Sequence, residues 1–431
     1  MSEHVNRGAG ARAARRTGHS LRSRQPRSAR GKRRGRNDRH TVVKVIGASL
    51  LTLAIATAGT VVAVYNHLNG NLDVVEVSGQ LTDRPPKGPE GPLNVLVMGS
   101  DSREGANNID GLKGGGARSD TTILLHLSAD RERAYGISIP RDTLVDRPTC
   151  YGEDGEEIPG EEQTIWNAAF SLGGPACTIQ QFEQVSGVRV DNYAVVDFTG
   201  FKGMVDALGG VEVCIPEDIE DPSANIFLEA GTRSIKGDEA LAYVRVRKGV
   251  SGGDGSDPQR IKRQQAFMAA TMNKAISGGM LSRPDKMVSF LSAATDSLQT
   301  DAENISKLAA LGAEFQGVGL GNIRFVTTPW VYSTAQPGRV EWTDDVERLW
   351  RVVRRDSSLP GEFLDQSISA ADNPDGSTSA PGNASGQGNG SATPETSEPT
   401  ESESTEPTDS PSQGGGSGLS DEARQDAGLC A

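Results

Sequence analysis

Short apolar runs bounded by glycine, proline or charged residues recur through the middle of the chain. They lie at residues 93–99, 121–128, 134–140, 192–198, 209–216 and 322–329. Near-continuous apolar runs of this length are typical of strands buried on both faces of a sheet. Helical spacing of apolar residues predicts further helices over 258–276, 302–316 and 344–355. The segment between the fourth and fifth runs indicates a helix closed by glycine, so these three elements predict a crossover unit.

One apolar run is much longer than the others. Val45–Tyr65 contains 21 residues without a charge, enough for a helix to cross a hydrocarbon core of about 30 Å. Residues 1–40 hold 13 Lys or Arg residues against two acidic ones, and the positive-inside rule therefore keeps the N-terminus in the cytoplasm. A cleavable signal peptide is the alternative, but it usually has a shorter apolar stretch and a shorter basic lead. We expect a single-pass signal anchor in the cell membrane, with everything after Asn66 extracytoplasmic.

Composition divides the chain into five parts. Residues 1–44 form an Arg-rich disordered arm, 45–65 the anchor, 66–91 a stalk, 92–365 one α/β domain, and 366–431 a disordered tail rich in Ser, Thr, Pro and Glu. The net charge is -13 although the arm is basic, which excludes a nucleic-acid binder that is basic throughout. Topology and lipid headgroups explain the arm, so we expect no nucleic-acid partner.

The four cysteines lie in an exported context, where disulfides persist. Cys150 and Cys177 bracket an acid-rich loop of 26 residues, and we predict a disulfide between them. Cys214 lies in a predicted strand, where a buried small hydrophobic residue is a better interpretation than a metal ligand. Cys430 lies in the tail, and the sequence leaves the states of Cys214 and Cys430 open. Four of the five histidines lie outside the domain, so we expect neither a zinc site nor histidine catalysis.

Arginine and aspartate residues cluster where the predicted strands end and on one later helix. These residues are Asp101, Arg103, Arg118, Asp120, Arg141, Asp142, Arg245, Arg247, Asp257, Arg260 and Arg263, with Gln264 beside them. Singly, each would usually be a surface charge or an ion pair. As a set they combine guanidinium groups, which grip phosphate oxygens bidentately, with carboxylates, which Mg²⁺ prefers. The strand-end placement therefore predicts a site for a metal-bound pyrophosphate.

Six motifs in order resemble the LytR-CpsA-Psr (LCP) family, in an actinobacterial form. They are NVLVMGSDSREG, GARSDTTILLHLS, SIPRDT, NAAFSLGGP, YAVVDFTGFKGMVDALGGVEV and ALAYVRVR with DPQRIKRQQAF, within residues 92–278. The resemblance implies an α/β fold, an αβα sandwich with a mixed sheet flanked by helices and a long apolar pocket. It also implies a phosphotransferase that moves a glycopolymer from a polyprenyl-pyrophosphate carrier to peptidoglycan, leaving a phosphodiester link.

The resemblance assigns roles to individual residues. It implies that Asp101 and Asp120 bind Mg²⁺ or Mn²⁺. The residues matched to the pyrophosphate site are Arg103, Arg118, Arg141, Arg245, Arg247, Arg260, Arg263 and Gln264. Within the catalytic set of Arg141, Asp142, Arg245, Arg247 and Arg263, we infer that Asp142 helps to deprotonate the attacking hydroxyl. The chain departs from the family pattern at Ile165, where lysine is common, and at Asp257, which proline follows.

Two other functions use the same features. One is a non-enzymatic envelope regulator or wall-binding protein, and the other is a hydrolase of the polyprenyl-pyrophosphate carrier. A binding protein has no need of acids beside the arginines, since these weaken anion capture. The sequence therefore favours the transferase, without indicating which glycopolymer is moved or how long the lipid is.

Overall fold

The structure is a computed structural model that describes residues 38–88, 91–101, 119–152, 154–222, 225–246, 257–278, 283–375 and 418–431. The chain divides into two compact units, Met1–Val61 and Val62–Ala431. Helix α1, Asp38–Asn71, contains the long apolar run. Among the described residues, one helix, spanning His40–Asn71, is long and apolar enough to cross a membrane.

A mixed sheet is the centre of the second unit. Its strands are β1 Asp73–Val74, β2 Leu93–Ser100, β3 Ser119–Leu127, β4 Ala134–Ile139, β9 Asn192–Val196, β14 Leu298–Thr300, β15 Ile323–Thr327 and β18 Ile368–Ser369. They lie in the order β1-β14-β9-β2-β3-β4-β15-β18. The pairs β1–β14, β9–β2 and β4–β15 are parallel, and the remaining neighbours are antiparallel. This is the mixed sheet that the family resemblance implies.

Shorter strands form two-stranded pairs around the sheet. They are β5 Leu144–Arg147, β6 Cys150–Tyr151, β7 Glu157–Ile158, β8 Glu161–Ile165, β10 Val211–Ile215, β11 Ile219–Asp221, β12 Ile226–Leu228, β13 Gly231–Ile235, β16 Trp330–Tyr332 and β17 Val340–Trp342. The antiparallel pairs are β5–β8, β6–β7, β10–β13, β11–β12 and β16–β17.

Helices cover both faces of the sheet. They are α2 Ala168–Ser186, α3 Phe198–Ala207, α4 Gly237–Arg245, α5 Asp257–Ser277, α6 Pro284–Thr295, α7 Ile305–Gln316, α8 Asp345–Arg354, α9 Gly361–Leu364 and α10 Asp421–Asp426. On one face, Phe182 of α2 and Trp350 of α8 join a core with Leu96 of β2. On the other, Ala269 of α5 packs with Phe325 of β15. The central sheet is thus covered on both faces, as the sequence predicts for the apolar runs that form its strands.

The predicted crossover unit is wrong at its second strand. Asp197 caps the N-terminus of helix α3, and its carboxylate accepts a hydrogen bond from Gly200 N at 2.8 Å. The helix ends where Gly209 and Gly210 take positive φ and Gly210 N donates to Val205 O at 3.0 Å. This turn directs β10 away from the central sheet, and β10 pairs with β13 instead.

The segment expected to be a stalk lies along the domain. The Arg84 guanidinium binds both carboxylate oxygens of Glu183 at 2.9 and 2.5 Å, and donates to Val190 O at 2.7 Å. Glu183 is fully buried. Burial of a charge requires such pairing, so Arg84 fastens the chain between α1 and β2 to helix α2.

Two disulfides tie distant segments together. Cys150 and Cys177 are bonded, with 5.2 Å between their Cα atoms, which confirms the predicted pair. Cys214 and Cys430 are also bonded. Here the structure differs from the expected disordered tail, because residues 418–431 are ordered and bury Leu429 against the α5 side of the sheet. Residues 376–417 of the tail lie outside the described residues.

Candidate active site

The sheet register brings the Asp and Arg motifs to one end of the sheet. Strand β2 ends where its antiparallel neighbour β3 begins, with Ser100 opposite Ser119. Strand β4 also ends there, with Ile139 opposite Thr122. Asp101 follows β2, Asp120 opens β3 and Arg141 follows β4. The three predicted site residues are therefore neighbours by topology.

Asp120 is the centre of an ion-pair cluster. Its Oδ1 accepts a hydrogen bond from Arg141 Nη1 at 2.6 Å. Its Oδ2 lies 3.8 Å from Arg260 Nη1, and its carbonyl oxygen accepts from Arg260 Nη2 at 3.3 Å. One carboxylate thus orients two guanidinium groups from different parts of the chain.

Asp142 joins this cluster to an arginine that sequence reasoning missed. Its Oδ2 accepts from Arg141 Nε at 3.2 Å, and its Oδ1 accepts from Arg339 Nη1. Arg339 lies in a Pro-Gly-Arg turn before β17 and belongs to none of the motifs, so the sequence carried no signal for it. The Asp142 oxygens hold further lone pairs, so the carboxylate can still accept a proton from a hydroxyl.

Helix α5 presents its residues to this end of the sheet in two directions. Arg260 and Gln264, one turn apart, line a cavity, and Gln264 Nε2 donates to Val244 O at 3.0 Å. Gln265 is fully buried and donates to Ser138 Oγ at 2.9 Å and Thr327 Oγ1 at 3.0 Å. Gln265 therefore fastens the helix to the ends of β4 and β15.

Arg263 points away from the cavity that Arg260 and Gln264 line. Its side chain is 1% exposed and donates through Nη2 to Val246 O. Its Nε and Nη1 have no hydrogen-bond partner among the described residues. Burial lowers the pKa of Arg263 to about 10, and the nearby Arg260 charge acts in the same direction, although Tyr243 opposes it. Arg263 thus supports the backbone after α4.

The remaining predicted residues lie at the end of α4 or outside the described residues. Arg245 closes α4 and its guanidinium carbon lies 4.6 Å from the centre of the Phe198 ring, a cation–π arrangement. Arg103, Arg118 and Arg247 fall outside the described residues, as does the side chain of Asp257.

Below the charged cluster lies an apolar cavity of about 270 Å³. Its apolar lining comes from the sheet and from helices α3 to α6. The lining includes Val97, Ile123, Phe201, Met204, Leu208, Leu241, Val244, Phe267, Met272 and Phe290. Asp120, Arg245, Arg260 and Gln264 also line it. The cavity therefore joins an apolar space to arginine and glutamine side chains, which are of the chemical types that bind phosphate.

The carboxylates suit a magnesium ion that arrives with a phosphate. Mg²⁺ usually binds one or two carboxylates and completes its shell with phosphate oxygens and water. Asp101 directly follows β2 and Asp120 is the second residue of β3, and these two strands meet at Ser100 and Ser119. Two carboxylates of the kind that such an ion uses therefore belong to the same end of the sheet. Among the described residues, no group of three or more His, Cys, Asp or Glu side chains could hold a metal by itself.

Part of this chain is similar to proteins named for cell wall biosynthesis and for teichoic acid transfer. "Probable cell wall biosynthesis protein LcpB" of Corynebacterium glutamicum is 36% identical over 231 residues, covering 52% of this chain and 52% of that protein. "Polyisoprenyl-teichoic acid–peptidoglycan teichoic acid transferase TagV" of Bacillus subtilis is 31% identical over 201 residues, covering 46% of this chain and 47% of that protein. The chain thus spans about half the length of these relatives.

Among solved structures, the crystal structure of B. subtilis TagV aligns with a TM-score of 0.47 and 26% identity, over 63% of this chain and 100% of that one. The family described as LytR_cpsA_psr matches residues 52–350. This range includes the second half of the apolar run, every strand of the central sheet except β18, and all six motifs. The chain belongs to the LytR-CpsA-Psr family.

Proposed function

We propose that this protein is a membrane-anchored, extracytoplasmic phosphotransferase. It transfers a glycopolymer from a polyprenyl-pyrophosphate carrier to peptidoglycan and leaves a phosphodiester link. The observation that carries the proposal is the junction of the apolar cavity with Asp120, Arg245, Arg260 and Gln264. A long apolar chain with an anionic head is the class of ligand that matches both halves of this site.

The ion-pair cluster supports a role in phosphoryl transfer. Arg141 and Arg260 are held on Asp120, so their positions are set before substrate binds. Preorganised cations of this kind stabilise the charge that develops on transferring phosphoryl groups. Arg263 of α5 donates to Val246 O and so supports the backbone at the end of α4.

Transfer breaks one P–O bond of the pyrophosphate and forms one new P–O bond to the acceptor. A hydroxyl of the acceptor attacks the phosphorus that carries the glycan, and the bond from that phosphorus to the bridging pyrophosphate oxygen breaks. Polyprenyl phosphate leaves with the bridging oxygen. The hydroxyl proton passes to Asp142 and then to solvent. When Mg²⁺ is bound, Asp101 and Asp120 would hold it, and the ion would neutralise charge on the phosphates.

A membrane anchor suits a donor substrate that is carried on a membrane lipid. The apolar helix α1 precedes the domain, and the Arg-rich segment precedes the helix. We infer that residues 1–44 are cytoplasmic and that the site faces outward, where peptidoglycan lies. A lipid carrier in the same membrane then has its pyrophosphate within reach of the anchored domain.

The test uses the full chain in detergent micelles, with a polyprenyl-pyrophosphate-linked glycan and peptidoglycan oligomers. Mass spectrometry should detect the phosphodiester-linked product together with polyprenyl phosphate, and chelation of Mg²⁺ should reduce its formation. Release of free phosphorylated glycan without coupling would instead identify a hydrolase. Absence of any donor turnover would favour a binding or regulatory protein.

A further inference from the structure

An aromatic hairpin lies beside the charged cluster, and its aromatic side chains have no part in the site described so far. Strands β16 and β17 form it, with Trp330 opposite Trp342 and Tyr332 opposite Val340. The rings of Trp330 and Tyr332 lie edge to face with 5.1 Å between their centroids. Tyr332 is 53% exposed and Trp330 is partly exposed. Aromatic side chains that keep one face in solvent are enriched at binding surfaces, because they offer a large apolar area beside a polar group.

The hairpin is fixed to the catalytic end of the sheet. It follows β15, whose last residue Thr327 lies opposite Ser138 of β4. Val340 N donates to Asp142 O at 3.2 Å, and Arg339 binds the Asp142 carboxylate. The aromatic pair is therefore carried by a strand pair that is bonded directly to the proposed proton acceptor.

The inner residues of the hairpin make it rigid. The Trp342 ring lies 6.0 Å from that of Trp166 and 5.9 Å from that of Trp350, and its Nε1 donates to Thr328 Oγ1 at 3.0 Å. Trp166 and Trp350 are fully buried. A preorganised aromatic surface loses little entropy when a ligand stacks on it.

We propose that Trp330 and Tyr332 bind the glycan chain of the acceptor, by stacking against the apolar faces of its sugar rings. This inference rests on the proposed function, because it concerns the acceptor of that reaction. Saccharide rings present C–H faces to aromatic π systems, while their hydroxyls stay in water. A sugar held on this hairpin lies next to Asp142, where an attacking hydroxyl is required.

The position of the hairpin in the sheet argues against a lipid surface as its partner. The end of α1 meets the domain near β14, since Asn71 Nδ2 donates to Asp296 Oδ1 at 2.6 Å, just before that strand. Strand β15 lies five strand spacings from β14, which is about 24 Å at ~4.8 Å for each spacing. Glu341 lies on the hairpin face that also carries exposed Val331, and a carboxylate there disfavours membrane insertion. The hairpin therefore lies toward the edge of the sheet that is remote from Asn71.

The experiment measures the KM for the acceptor and the KM for the donor separately, with the full chain in detergent. Trp330→Ala and Tyr332→Ala should each raise the KM for peptidoglycan glycan oligomers by about tenfold, as truncation of an aromatic anchor does. The KM for the lipid-linked donor should stay at the wild-type value. Tyr332→Phe keeps the ring and should restore acceptor binding. Phe227→Ala is the matched control, since Phe227 is 60% exposed on the separate hairpin β11–β12.

A direct titration with a chitin oligosaccharide distinguishes the two proposals. If wild-type protein binds the oligosaccharide and both alanine variants lose that binding, the hairpin proposal stands even if donor turnover fails. Unchanged oligosaccharide affinity and unchanged acceptor KM in folded variants would overturn it. So would variants that change only vesicle binding or oligomeric state. If Trp330→Ala does not fold, Tyr332→Ala decides the question, because the exposed Tyr332 side chain can be truncated without opening the core.

Discussion

Replacement of Arg141 is the sharpest test of the proposed mechanism. Its guanidinium spans Asp120 and Asp142, at 2.6 and 3.2 Å, and its side chain is 17% exposed. In Arg141→Ala, Asp120 keeps its contact with Arg260, and Asp142 keeps Arg339. Because neither carboxylate loses its last cation, the free energy of unfolding should fall by only ~1 kcal/mol.

The expected loss of activity is much larger. A preorganised cation that acts on developing phosphoryl charge contributes about 2–4 kcal/mol to the transition state, so the transfer rate should fall by tens to hundreds of fold. Arg141→Lys should recover little, because an ammonium group cannot bind two partners in the planar fork of a guanidinium. The effect should appear at saturating donor and acceptor, since it concerns the chemical step.

Transfer is assayed by mass spectrometry of the phosphodiester product, beside thermal unfolding in the same detergent. Arg351→Ala is the control, because Arg351 is 49% exposed on α8 and lies outside the site. The reasoning fails if folded Arg141→Ala protein transfers at nearly the wild-type rate, if lysine replaces arginine fully, or if activity falls only in step with unfolding.

Four further expectations can be checked independently. Reduction of the bond between Cys150 and Cys177, which are 27 positions apart in the sequence, should lower the unfolding free energy by about 3 kcal/mol. Non-reducing peptide mapping should recover this pair. Protease added to intact wall-stripped cells should remove residues beyond 66, and full protection would contradict the proposed orientation. Met204→Trp should fill part of the apolar cavity and raise the KM for the lipid donor more than the KM for the acceptor, as steady-state kinetics can measure. Burial holds the pKa of His126 below its ordinary value of 6.5, despite the opposing effect of nearby Asp356. As pH drops below 6.5 the unfolded chain therefore binds a proton at this histidine before the folded protein does, and the free energy of unfolding should fall. Denaturant titrations should show this pH dependence, and His126→Gln should flatten it.

Local patterns were sufficient to predict much of the architecture. Apolar runs and turn residues act over a few positions, so strands β2, β3, β4, β9 and β15 and helix α5 could be located from the sequence. Strand ends also bring Asp101, Asp120 and Arg141 together once neighbouring strands pair, because the register is set by the same apolar runs. The Cys150–Cys177 pair could be predicted as well, since both residues flank one loop.

Only the tertiary structure decided the contacts between distant residues. The pairing of β10 with β13, the disulfide between Cys214 and Cys430 and the contact of Arg339 with Asp142 join residues up to 216 positions apart. No local pattern encodes such a contact, because it forms only when packing brings two independently folded segments to the same place. The apolar cavity is of the same kind, since its lining comes from the sheet and four helices whose apolar residues, taken singly, look like ordinary core. The sequence by itself determined which residues could bind a pyrophosphate, and the fold decided that an apolar cavity and an aromatic hairpin stand beside them.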